Sequence, residues 1–295
     1  MTDPRGPWGP LAEPMHVERV FEPDDPPYRE NCFLGFFDRE RGFYGATHLQ
    51  GGRTDAGMFA RCSVAIDGRS TEIFERLEAM TFESEHISFD LSGHLTAKHG
   101  DFLLDLDLKP IREPVDYSAA ETLPGLRKSE PLQHFQQAGT FTGVVSNAHG
   151  SLEVEGSVIR DRTWGFRQEI ASWVEYYAAF VTFDGFDLAT MKFQTRDGDI
   201  PPHGKLSGSR EGTVVNSTVL RRDAWGGIAE VELDMADGTK LGLSIGKPEA
   251  KVFCPLNDPT GPEAFTSYDD FVEVMTSDGA VGFGIMEQGI LRRQV

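Results

Sequence analysis

Cysteine is scarce in this chain, with three residues in 295, and Cys32, Cys62 and Cys254 stand far apart with no CxxC pair. That usage excludes a disulfide framework and a zinc knuckle and makes the cytoplasm the expected compartment. Positive charge is short as well. Against 47 acidic residues stand 28 Lys and Arg, a formal net charge of −19. A field of that sign repels phosphate backbones and anionic lipid, so nucleic acid is not an expected partner. No apolar run approaches the ~18 residues of a membrane span, and no membrane insertion is expected. The opening "MTDPRGPWGPLAEP" lacks the basic-then-apolar layout of a secretory signal. Neither a G-x-S-x-G elbow nor HExxH occurs, which removes the commonest hydrolase and zinc-protease chemistries. "GGRTDAG" near Gly51 precedes no helical pattern and makes a poor phosphate loop. With no dinucleotide fingerprint either, no cofactor is expected.

What is abundant is Phe, at 21 residues, and Gly, at 32. Rings spaced between glycines suit curved sheets, where glycine permits bends and large side chains fill the interior. The first 28 residues, holding seven of the 17 prolines, read as an extended arm. Regular signals begin near "NCFLGFFD", and short apolar runs then alternate with turn residues. In "DFLLDLDLKP", Phe102, Leu104, Leu106 and Leu108 fall on one strand face, opposite Leu103, Asp105 and Asp107. Residues 110–130 lose the alternation and read as a connector. Ile170, Trp173, Val174 and Tyr177 fit a short helix, although a strand from Val174 fits nearly as well. The pairs Asp184-Gly185, Asp237-Gly238 and Asp278-Gly279 each sit between alternating runs and mark hairpins. The expected architecture is therefore all-β, two consecutive antiparallel barrels or sandwiches with few short helices. The expected first domain spans 29–145 and the second 146–295.

The stretch "GSVIRDRTWGFRQE" concentrates charge where the pattern predicts a buried strand. On a strand Val158, Arg160, Arg162 and Trp164 share one face, and Ile159, Asp161 and Thr163 the other. Two readings remain open: a solvated edge with a surface ion pair, or a polar layer in a cavity where Asp161 and an arginine orient each other. His134 fits a satisfied core position or a catalytic one. His86 and His94 could meet across a hairpin as metal ligands, but no third donor is evident, and no metal site is assigned. Tyr44 and His48 share a strand face, either as wall or as cavity lining, and Tyr176 and Tyr177 follow the charged strand closely.

One resemblance bears on these readings. His134, Gln137 and Gly139, followed by Gly156, Arg160, Asp161, Trp164, Gly165 and Arg167, match an H-x-x-Q-x-G strand and a G-x-G-x-R-D-x-x-W-G-x-R strand. The block resembles the central signature of the tandem lipocalin-like family of carotenoid 1,2-hydratases and their bacterial relatives. "DGAVGFGIMEQG" resembles the family's closing strand, ending at Glu287. Two positions depart: Arg162 stands where hydratase-like members often have His, and "SVI" follows Gly156 without a second glycine. The resemblance implies two lipocalin-like barrels with an apolar cavity near their junction, and a lipophilic small-molecule ligand such as a terpenoid, polycyclic or polyketide-like compound. It further implies hydration or dehydration, isomerisation or cyclisation. In that setting Asp161 and Arg162 are expected to orient the polar end of the ligand and His134 or Tyr176 to move the proton. Trp164, Arg160, Tyr177, Tyr44, His48 and Glu287 are expected to contact it. A non-catalytic carrier of a lipophilic ligand is the alternative. A monomer or homodimer is expected.

Overall fold

The computed structural model describes residues 8–9, 28–52, 58–66, 68–77, 81–118, 133–166, 173–196, 198–255 and 263–293. Its described residues are nearly all β. Ile170, Arg167 and most of the Pro-rich arm and of the connector lie outside them. The chain divides into two compact units.

The first unit holds β1 (Tyr28–Asp38), β2 (Phe43–Gly52), β3 (Phe59–Ile66), β4 (Arg69–Arg76) and β5 (Ile87–Phe89). It continues with β6 (His94–His99), β7 (Phe102–Pro110), β8 (Val115–Asp116), β9 (Gln133–Asn147) and β10 (Gly150–Phe166). These strands form one curled antiparallel sheet in the order β4-β3-β2-β1-β10-β9-β7-β6-β5, with β8 attached to β9. The alternation read in "DFLLDLDLKP" is the one observed, with Phe102, Leu104, Leu106 and Leu108 buried. They join Leu34, Phe36, Phe43, Phe141 and Val158 in one core on the sheet's inner face. Full burial of such side chains stabilises by about 1.5–3 kcal/mol each.

The second unit holds β11 (Trp173–Phe183), β12 (Phe186–Thr195), β13 (Gly198–Asp199), β14 (His203–Gly208) and β15 (Gly212–Arg222). It ends with β16 (Ile228–Met235), β17 (Lys240–Ile245), β18 (Ala250–Pro255), β19 (Glu263–Thr276) and β20 (Val281–Arg293). Eight strands run β11-β20-β19-β17-β16-β15-β14-β12, and pairing of β12 with β11 closes the barrel. Closure leaves none of those eight as a free edge. Tyr177, Val181, Leu188, Leu233, Leu243 and Val274 fill the interior. All three Asp-Gly pairs sit at hairpin turns, and Gly185, Gly238 and Gly279 each have positive φ. The segment from Trp173 is strand, not helix.

The boundary differs from the expected 145/146. β9 and β10 pair continuously from Gln133 opposite Trp164 to Asn147 opposite Gly150. Asn147–Gly150 is thus an internal hairpin turn, and the first unit extends through β10.

Candidate active site

The charge in β10 sorts by face. Arg160 and Arg162 point into the first unit's core, both fully buried. Arg162 Nη2 donates to Glu30 Oε1 at 2.7 Å, and its guanidinium lies over Phe82 at 4.9 Å and Trp164 at 5.7 Å. Arg160 Nη2 donates to the Leu91 carbonyl at 2.5 Å and lies 4.6 and 4.7 Å from the centroids of Trp8 and Phe89. Burial lowers Arg160 to about 10, so it is still a cation at neutral pH. Desolvated guanidinium over aromatic faces gains about 2 kcal/mol or more. A buried ion pair like Arg162–Glu30 adds little net stability, yet removing one partner costs about 3–5 kcal/mol. Trp164 stacks on Phe135 at 5.4 Å within the same core.

Asp161 faces the other way. Its Oδ2 accepts from His134 Nε2 at 2.6 Å and from Gln136 Nε2 at 2.7 Å, and Oδ1 accepts from Thr163 Oγ1 at 3.2 Å. The register builds this cluster: Asp161 sits opposite Gln136, and Thr163 opposite His134, so all four share a face. Burial works to raise the Asp161 carboxyl, but the His134 charge and the three hydrogen bonds outweigh it and hold the group below its ordinary value. Asp161 is therefore an anion and an acceptor, which assigns the shared hydrogen to His134 Nε2.

The same face continues across the sheet. Asp161 lies opposite Phe33, Phe33 opposite His48, and His48 opposite Arg61. In the adjacent row Thr163 lies opposite Asn31, and Asn31 opposite Gln50. Asn31, His48, Gln50, Arg61, His134, Gln136 and Thr163 are all buried. His48 is held edge-on to Phe33 at 6.2 Å and to Phe59 at 5.3 Å. Asn31 Oδ1 and Gln136 Oε1 are buried acceptors with no hydrogen-bond partner among the described residues. Buried polar atoms are nearly always paired, so each such atom asks for a reason.

The expected site residues thus separate. His134, Asp161 and His48 share one polar face of the first sheet. Arg160, Arg162 and Trp164 lie on its opposite face, so Arg162 cannot join Asp161 in orienting one ligand group, because neighbours in a strand point to opposite sides. Tyr44 shares the face of His48 but sits four residues away, about 13 Å along the strand.

Tyr176, Tyr177 and Glu287 belong to the second unit. Tyr177 points into the barrel and its hydroxyl bonds Ser217 Oγ. Tyr176 lies on the outer face, stacked on Phe193 at 5.1 Å, and its hydroxyl donates to Glu287 Oε1. Ser267 Oγ lies 3.0 Å from the same oxygen and 2.7 Å from Asp269 Oδ1. Burial first, then the charges of Glu287 and Asp269, push the Tyr176 hydroxyl well above its ordinary value. It stays a donor at neutral pH. Gln136, Asn31, Ser267 and Asp269 escaped the sequence reading, and Thr163 was placed on the face of Asp161 without a role. For Gln136 and Thr163 the signal was present, since i and i+2 positions flank His134 and Asp161.

Two antiparallel barrel-type units in tandem, the second closed by eight strands, make the fold lipocalin-like. The chain belongs to the family described as Domain of unknown function (DUF7064), which it matches over residues 15–290. No curated protein matches its sequence. Among solved structures, AttH from Nitrosomonas europaea is similar at 12% identity and a TM-score of 0.61, covering 95% of this chain and 100% of that one. Kievitone hydratase from Nectria haematococca is similar at 11% identity and a TM-score of 0.59, with 94% of each chain covered. CghA is similar at 12% identity and 0.61, with 95% of each covered. At these identities the likeness is one of fold, and at that level it meets the resemblance carried by residues 134–167.

Proposed function

We propose that this protein is an enzyme that moves protons on a lipophilic small molecule without a cofactor, in a hydration or dehydration, an isomerisation or a cyclisation. The observation that carries this reading is the His134–Asp161 pair, whose 2.6 Å hydrogen bond orients a buried imidazole against an ionised carboxylate. An aspartate in that position fixes the tautomer of its histidine and stabilises the imidazolium that forms. His134 Nδ1 is then the atom that takes a proton from water or carbon and returns it. Asp161 positions His134, and Gln136 and Thr163 complete the aspartate's shell. The acceptor oxygens of Asn31 and Gln136 suit a hydroxyl or other donor on the ligand. The rings of Phe33 and Phe59 beside His48 suit its apolar body. That one fold neighbour is named a hydratase fits this chemistry.

The test is incubation in D2O with a panel of prenylated phenols, acyclic terpenoids and polyenes, read by mass spectrometry for added water or deuterium on carbon. The wild type is expected to convert at least one compound. His134→Ala is expected to lose about 10²–10⁴-fold in rate, and Asp161→Asn a comparable factor with a changed pH profile. Full turnover in both variants would sink the assignment. Binding of a panel compound that neither variant weakens, with no conversion, would make the protein a carrier.

A further inference from the structure

The interior of the second barrel changes character towards one end. Val181, Leu188, Leu233, Leu243 and Val274 belong to its apolar core. Beyond them the register aligns one transverse row: Lys192 opposite Tyr177, Tyr177 opposite Gln288, Gln288 opposite Tyr268, and Tyr268 opposite Phe253. Tyr177 points into the barrel, and directly opposed residues share a face, so the whole row faces inward. Side chains here reach across the barrel. Tyr177 donates its hydroxyl hydrogen to Ser217 Oγ on β15, and Lys192 Nζ donates to the Ser217 carbonyl at 3.0 Å. Glu175 Oε1 accepts from Arg222 Nη2 at 2.7 Å and from Gln288 Nε2 at 2.8 Å. Burial pushes the Tyr177 hydroxyl up to about 12 despite its bond to Ser217, so it stays a donor at neutral pH.

The wall is also unzipped at this end. β17 pairs with β19 over Val274–Thr276, and β18 takes its place beside Thr266–Phe271. Among the described strands β18 pairs with β19 alone, so no ladder joins it to β16. Burial raises the Asp270 carboxyl above its ordinary value against the pull of Lys251, and the charge of Asp223 adds to the rise. Asp223 opens the β15–β16 turn, which therefore stands beside β18 and β19. Its Oδ1 accepts the N–H groups of Trp225 and Gly227 at 2.8 Å each, and Trp225 is held 95% exposed. Phe253 is 47% exposed and meets Tyr268 edge-on at 5.4 Å. The mouth thus sets exposed rings at its rim above a floor of polar donors.

We propose that the mouth of the second barrel binds a carboxylate carried on an elongated apolar body, with Lys192 taking the carboxylate and Tyr268, Phe253 and Trp225 receiving the body. An ammonium has three donors and no acceptor, so an anion is the group it recognises. Of the other cations here, Arg222 is matched to Glu175, and Lys251 to Asp270 at 3.3 Å. Lys192 lies half-buried against a neutral carbonyl, where a charge-assisted bond to an incoming anion is stronger than in water. Exposed rings around a mouth with a few placed polar groups are the usual make-up of a small-molecule site in a barrel. The site is separate from the His134 face and belongs to the second unit alone. The rival is a sealing layer, in which Lys192, Tyr177 and Arg222 tie β12, β11 and β15 together across the barrel and nothing binds.

The experiment titrates the full chain with cis-parinaric acid, a fluorescent polyene carboxylate, and with its uncharged methyl ester. One equivalent of the acid is expected to bind, and the ester at least tenfold more weakly, the worth of one charge-assisted hydrogen bond. Lys192→Met is expected to bring the acid down to the ester's affinity and to leave the ester unchanged, which also shows that the variant is folded. Phe253→Ser and Trp225→Ala are each expected to weaken acid and ester alike, by severalfold. His134→Ala is expected to change neither. No one-to-one binding up to about 50 μM, equal affinity for acid and ester, or indifference to Lys192→Met would overturn the proposal. Loss of binding in His134→Ala would overturn it as well, by placing the probe on the first sheet. The mouth variants leave His134 and Asp161 intact, so this outcome and the proton-transfer reading stand or fall separately.

Discussion

Asp161 shows how much of the site rests on single hydrogen bonds. Its carboxylate is held below the ordinary value of about 3.9. A depressed carboxyl contributes stability that is fully present above its unfolded value and is lost as pH falls through its folded value. The midpoint of urea unfolding is therefore expected to fall between about pH 5 and 2 more steeply in the wild type than in Asp161→Asn, as linkage requires. Parallel curves would mean that the carboxylate is not held as described. At this scale the sequence was a partial guide. Asp161 stood out because a charged residue in a β-branched run demands a partner, and His134 because it stands in the block that resembles the hydratase-like signature. Their pairing with each other did not, because the register of β9 on β10 is a tertiary fact.

Among the elements, the alternating strands and Asp-Gly hairpins were legible because period-two burial and positive-φ glycines leave a local trace. The unit boundary was not. β9 and β10 are long strands joined by a tight turn, and nothing local distinguishes such a hairpin from a link between domains. Gly289 in β20 offers a test of element packing. A Cβ there would lie 1.9 Å from Cε1 of Tyr176, whose ring covers the glycine on the neighbouring strand. Gly289→Ala is expected to cost about 1–3 kcal/mol by overpacking. It is also expected to push Tyr176 off Glu287. In a Tyr176→Ala background the same change is expected to cost far less. A urea-denaturation double-mutant cycle reads the difference, and an additive result would rule out the clash.

Over the whole molecule, the excess of 47 acidic over 28 basic residues is a distributed strain on the folded state. Counter-ions shorten its reach, with a Debye length of about 30 Å at 0.01 M and 10 Å at 0.1 M. Melting temperature is therefore expected to rise by several degrees between these salt concentrations in differential scanning fluorimetry. A flat or falling response would show that local pairs, not the net field, dominate. Across the chain, β10 carries an obligation of a different kind. One side of it commits two arginines to the oily interior while the other commits an acid to the imidazole of β9. Substitution can retouch either side alone. Deleting or inserting one residue ahead of Arg160 would exchange them, sending the acid inward and the arginines outward. Descendants of this chain should vary in the spelling of that strand and conserve its phase.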